Sequence, residues 1–139
     1  MKDAELIIAV LALIVSIIAV PITHRLGRQA SKHDFINLKI DDLSTSLDRI
    51  FDECIDIISN STFDNSKYLY QVSMYVKLQW IVKEINLYDK NNELQRKECL
   101  LSVKKIMTDD IFFSGDKKNC LLSLLNQINK LKSCFERKF

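Results

Sequence analysis

Glycine and proline are nearly absent: the 139 residues hold two glycines, Gly27 and Gly115, and one proline, Pro21. A chain so poor in breakers has no room for a phosphate-cradling loop or a dinucleotide-binding turn, which need several glycines at fixed spacing. G-x-S-x-G and H-E-x-x-H are missing as well, which removes the nucleophile-elbow and zinc-protease signatures. The two histidines, His24 and His33, stand nine residues apart, and Cys54, Cys99, Cys120 and Cys134 form no C-x-x-C. Metal sites need clustered ligands, and none is spaced for one. No catalytic residues, cofactor or metal are expected, and the chain does not read as an enzyme.

Net charge is also scarce. The chain carries +2, and the excess belongs to its first 32 residues; residues 33–139 hold 16 basic and 16 acidic side chains. A neutral body gives no electrostatic case for nucleic acid.

What the sequence has in abundance is aliphatic surface. Leu6 to Ile22 is a run of 17 uncharged residues, broken only by Ser16 and Pro21. As a helix it is about 25 Å long, inside the range of a membrane span. A cleaved secretory signal would begin basic and end at a small-x-small site, whereas here Asp3 and Glu5 precede the run and Ile17 stands two before Ala19. A buried core helix would show a charged face, and none interrupts the run. The expectation is a single transmembrane helix, with Pro21 in its last turn, where a missing N–H costs little. Arg25, Arg28 and Lys32 outweigh Lys2. This places the C-terminal side in the cytoplasm and lets the three bases meet lipid headgroups. The localisation expected is the cell (inner) membrane, single-pass, N-terminus outside.

One face of the run differs from the rest. Glu5, Ala9, Ala12, Ser16, Ala19 and Thr23 recur at spacings of 4, 3, 4, 3 and 4. Small residues on one stripe let helices approach closely in lipid, so Ala9, Ala12, Ser16 and Ala19 form a candidate packing face.

The remainder keeps to the helical period. Ile36, Ile40, Leu43, Leu47, Ile50, Cys54 and Ile57 give a helix over about 34–60, with Ser31 or Asp34 as its cap. Asp41, Asp48, Asp52 and Asp56 lie off that stripe as a possible docking face. A second helix over about 66–90, capped by Asn65 or Ser66, carries Tyr68, Tyr70, Tyr75, Tyr88 and the only tryptophan, Trp80. A third over about 92–108 shows Leu94, Leu101, Val103, Ile106 and Met107. "TDDIFFSGD" reads as a loop that plugs the core with Ile111, Phe112 and Phe113. A fourth helix over about 117–136, capped by Asp116, carries Leu121, Leu124, Leu125, Ile128, Leu131 and Phe135. The cysteines are expected as small buried residues. Residues 34–60 hold seven acids and two bases, residues 116–139 two acids and six bases, so the first and last of these helices suit each other in sign.

The fold class expected is all-α. Residues 1–24 make a transmembrane anchor, 25–33 a basic juxtamembrane linker where Gly27 lowers helix propensity but a continuous helix is possible, and 34–139 an antiparallel four-helix bundle. Two functions fit. One is a membrane-anchored module that works by self-association and by binding a membrane or cytoplasmic protein. The other is a membrane-disrupting, pore-forming or toxin-like effector, as in bacterial antiphage defence, triggered through its cytoplasmic domain.

Overall fold

The computed structural model describes residues 2–60 and 64–139, with side chains from residue 12 onward. Among these residues every regular element is helical: α1 Lys2–Ser59, α2 Asn65–Tyr88, α3 Glu93–Lys105, a π-helical stretch Ile106–Asp110, the short α4 Ile111–Phe113 and α5 Lys117–Ser133.

The longest element is α1: one 58-residue helix, roughly 87 Å long, runs through the juxtamembrane segment at 25–33. The physical reason is that nothing there is costly enough to stop it. Gly27 alone weakens the helix by only about 1 kcal/mol, and its neighbours Arg25, Leu26, Arg28, Gln29 and Ala30 are good helix formers. Ser31 and Asp34 are therefore interior residues and cap nothing. Pro21, expected in a last turn, is likewise interior. On the N-terminal arm of α1, residues 2–34, Ser16 and Thr23 bond back to their own helix: Ser16 Oγ donates to the Ala12 carbonyl at 2.8 Å, and Thr23 Oγ1 to that of Ala19 at 2.8 Å.

The caps of the shorter helices are local. Asp64, and neither Asn65 nor Ser66, starts α2, its carboxylate accepting from the Ser66 amide at 2.8 Å. Asp116 caps α5 as expected, accepting from the Asn119 amide. "DKNN" ends α2, and Asn92 turns the chain into α3 in the left-handed region, φ 58°, a conformation asparagine tolerates better than most residues. The turn expected over "SNSTFDNS" falls partly on 61–63, outside the described residues.

Ion pairs fix the directions of packing. Along α1 the partners on α2 run backwards, with Asp56 opposite Lys67, Asp42 opposite Lys77 and Lys39 opposite Glu84. The same holds for the last helix and its tail, with Asp48 opposite Lys132 and Asp41 opposite Arg137. Lys104 lies over the Tyr75 ring while Arg96 reaches Asp89, so α3 runs against α2. The product is an up-and-down four-helix bundle in which α1 from about residue 35 onward is the first member.

Its core holds the expected α1 stripe, with Leu47, Ile50 and Cys54 fully buried, joined by Leu78, Ile81, Ile85, Leu124 and Leu131. All four cysteines are free; three are buried, and Cys120 is half-buried. Burial pushes the Cys54 thiol up to about 12, so it stays protonated at neutral pH. The third helix turns inward a different face from the one its leucines suggest. Leu94 and Leu101 are 78% and 50% exposed, while Arg96, Cys99, Leu100 and Val103 point inward. The plug over 111–113 is part of a helical rod rather than a loop. Ile111 is buried and Phe112 packs on the core, but Phe113 is 70% exposed, because the extra residue of a π-turn rotates the next residues around the helix axis.

Among the described residues no helix is long and apolar enough to cross a membrane. The anchor expected at 1–24 thus gains no support from them; the first six residues of its run, 6–11, have no described side chains.

Two substitutions test this account of the helices. Space is open around Gly27, so Gly27→Ala should strengthen α1 by about 0.5–1 kcal/mol, read as slower amide exchange over residues 24–31. Gln71 is fully buried, its Nε2 donating weakly to Cys54 Sγ at 3.6 Å and its Oε1 without a partner among the described residues. Gln71→Met should raise the urea midpoint, by a stability gain of about 1–2 kcal/mol.

Candidate functional site

The buried polar centre of the bundle lies at the end that the α1 arm enters. Arg96 comes from the second turn of α3 and is 1% exposed. Its guanidinium makes four hydrogen bonds: to the Asp89 carboxylate at 2.9 Å, the Asp89 carbonyl at 2.7 Å, Asn86 Oδ1 at 2.8 Å and the Cys134 carbonyl at 3.1 Å. Its carbon sits 4.4 Å from the Phe135 ring centre. One side chain thereby ties the end of α2, the start of α3 and the end of α5. Burial pushes the Asp89 carboxyl up, but the hydrogen bond from Arg96, that of the Asn91 amide, the Arg96 charge and Lys138 outweigh it and hold it below its ordinary value.

The C-terminal tail is strapped over this centre. Asn37 of α1 donates to the Lys138 carbonyl at 2.7 Å and accepts from the Lys138 amide at 2.8 Å. Lys138 Nζ reaches Asp89 at 3.3 Å, and Arg137 pairs with Asp41. These groups are paired with one another, so the centre is a structural clasp.

Beside the clasp, residues of α2, the turn after it and α3 line a groove of about 840 Å³. Val76, Trp80 and Leu87 line it and are 57%, 54% and 68% exposed. Lys83, Lys90, Glu93 and Lys97 stand around it. Behind it, Lys39 of α1 holds Trp80 in place: its Nζ lies 4.5 Å from the indole centre and 2.6 Å from Glu84. Next along the α1–α2 seam, Phe35 and Tyr88 meet edge to face at 5.4 Å, and Lys32 lies 5.9 Å from the Tyr88 ring.

The residues singled out from sequence fall elsewhere. Ala12, Ser16 and Ala19 are exposed on the arm, as are Arg25, Arg28 and Lys32; the side chain of Ala9 lies outside the described residues. The acidic face is largely occupied within the chain, since Asp41, Asp48 and Asp56 pair with Arg137, Lys132 and Lys67, and only Asp52 lacks such a partner among the described residues. The sign difference between first and last helices is thus used inside one bundle. Of the aromatic set, Tyr75 is buried and Tyr68 packs on Phe112, whereas Trp80 and Tyr88 are exposed at the groove and seam. Among the described residues no group of three His, Cys, Asp or Glu side chains is placed to hold a metal. Sequence reasoning passes over Arg96 and the groove. The signal for Arg96 is its position, which falls on the Cys99–Leu100–Val103 face at helical spacing.

No family model matches this chain, and no curated protein or solved structure matches it.

The clasp sets a test. Arg96→Met should destabilise the bundle by about 3–5 kcal/mol in urea unfolding, because it strands a buried carboxylate. Asp89 titrates lower folded than unfolded, so its contribution is present above the unfolded value of about 3.9 and is lost as pH falls through the folded one. Asp89→Asn should therefore flatten the fall in stability on acidification through that window.

Proposed function

We propose that this chain is a membrane-tethered helical interaction module, with the N-terminal arm of α1 in a bilayer and the bundle presented on the cytoplasmic face. The observation that carries this reading is the arm itself. Leu13, Val15, Ile17, Ile18 and Val20 are 55–67% exposed, with no element of the bundle packed on them. Together with residues 6–11 they complete an uncharged run of span length. Surface of that kind is stable in lipid or against another apolar helix. The bases Arg25, Arg28 and Lys32 come directly after it and suit an anionic headgroup layer. An interior Pro21 is tolerated in such a setting. Self-association through the stripe of Ala12, Ser16 and Ala19 belongs to the same proposal. No constellation of activated groups supports an enzyme.

The effector reading receives less support. Ser16 and Thr23 turn their hydroxyls onto their own helix carbonyls, which suits close helix packing better than a wet pore lining.

The expected outcome is that the full chain stays with membranes through an alkaline wash, while a chain starting at residue 25 is released and unfolds cooperatively. A C-terminal reporter should be active in the cytoplasm. Release of the full chain, or a reporter facing outward, overturns the tether. Expression should leave growth and membrane potential unchanged. Loss of potential that Ala12→Leu with Ser16→Leu abolishes would move the assignment to the effector.

A further inference from the structure

The outer surface of α2 carries a second seam that the bundle does not use. Leu69, Ser73, Val76, Trp80, Lys83 and Leu87 are spaced 4, 3, 4, 3 and 4, and all are exposed. That is the period at which one helix meets another. Across the groove, α3 contributes Glu93, Lys97 and Leu100. From Val76 to Lys90 the groove runs roughly 21 Å along α2, the length of about 14 helical residues. It is open along its length, as a helix laid between two others requires; an acyl chain there would keep one side in water.

Charge says what kind of helix. Lys39, Lys67, Lys77, Arg96, Lys132, Arg137 and Lys138 all have carboxylate partners in the fold. Lys83, Lys90 and Lys97 have none among the described residues, and they stand around the groove with Glu93 as the single acid lining it. Lys83 and Lys97 approach from opposite walls, α2 and α3. An occupant with an apolar face and acids on both flanks would meet apolar residues on the floor and lysines on the rims. This chain cannot supply such a helix from a second copy, because its own acidic helix, α1, has its apolar stripe buried.

We propose that the α2–α3 groove is a docking site for an acidic amphipathic helix of a partner protein, with Trp80 as its central anchor. An indole held from behind by Lys39 has little freedom left to lose, which favours it as the residue that carries most of the binding. The proposal rests on the interaction-module reading but not on the membrane span.

The single tryptophan makes the site its own reporter. The experiment uses the full chain in phosphatidylcholine nanodiscs and an 18-residue helical peptide with leucine at the a and d positions and glutamate at e and g. The control peptide carries lysine in place of every glutamate. The acidic peptide should shift Trp80 emission to the blue and saturate, while the lysine peptide leaves it unchanged. Leu87→Asp should weaken the acidic peptide about tenfold or more with unchanged circular dichroism. Lys83→Glu with Lys97→Glu should exchange the preference, so that the lysine peptide binds. No response to the acidic peptide, or equal response to both, overturns the proposal. So does a blue shift produced by phosphatidylglycerol vesicles that the acidic peptide does not reverse. A chain that fails to enter nanodiscs yet binds the acidic peptide in buffer keeps the docking site and refutes the tether.

Discussion

The helical continuity of α1 from Pro21 into the bundle is the constraint on which the rest of the molecule depends. A helix transmits direction, so an arm fused to the first helix of a bundle has no freedom to swivel beneath it. Breaking that connection in the middle would mean giving up several adjacent i to i−4 bonds at once, and Gly27 alone does not offset such a loss. Whatever holds the arm, lipid or another helix, thereby fixes the azimuth and tilt of the bundle. A flexible linker of the same nine residues would have decoupled the two.

The clasp at Arg96 completes that rigidity at the arm-facing end. Ordinary bundle packing holds the helices along their length through Leu47, Leu78, Leu124 and their neighbours, but the chain ends and turns are where bundles loosen. Here a guanidinium reaches the turn after α2 and the end of α5 together, and Asn37 fastens the tail to α1. Burying a charge costs several kcal/mol before its partners return it, so this arrangement favours specificity of assembly over raw stability. The half-satisfied Gln71 amide in the core points the same way: its Oε1, without a partner among the described residues, is a cost that a well-packed methionine would not carry.

How much of this is legible in sequence depends on whether a residue's role is local. The α1 stripe from Ile36 to Ile57 is readable because burial on one helix repeats every 3.6 residues, and Asp116 is readable because a cap acts within its own turn. The continuity of α1 is not, since Gly27, Ser31 and Asp34 are each compatible with a stop and only the sum of their neighbours decides. The third helix misleads because Leu94 and Leu101 look like core residues seven apart, while Arg96 looks solvated. Arg96 faces inward only because Asp89 and the Cys134 carbonyl, contributed by other elements, satisfy it. The acidic stripe is visible as charge but not as pairs, since its partners on α5 and the tail are more than 80 residues away.

The outward leucines and the inward arginine have one cause. Turning Arg96 into the clasp goes with a phase of α3 in which Cys99, Leu100 and Val103 also face inward and Leu94 and Leu101 face outward. The same phase brings the start of α3 against the end of α2 at Asp89 and turns Glu93 and Lys97 toward the groove. Clasp and groove are thus two consequences of one helix phase.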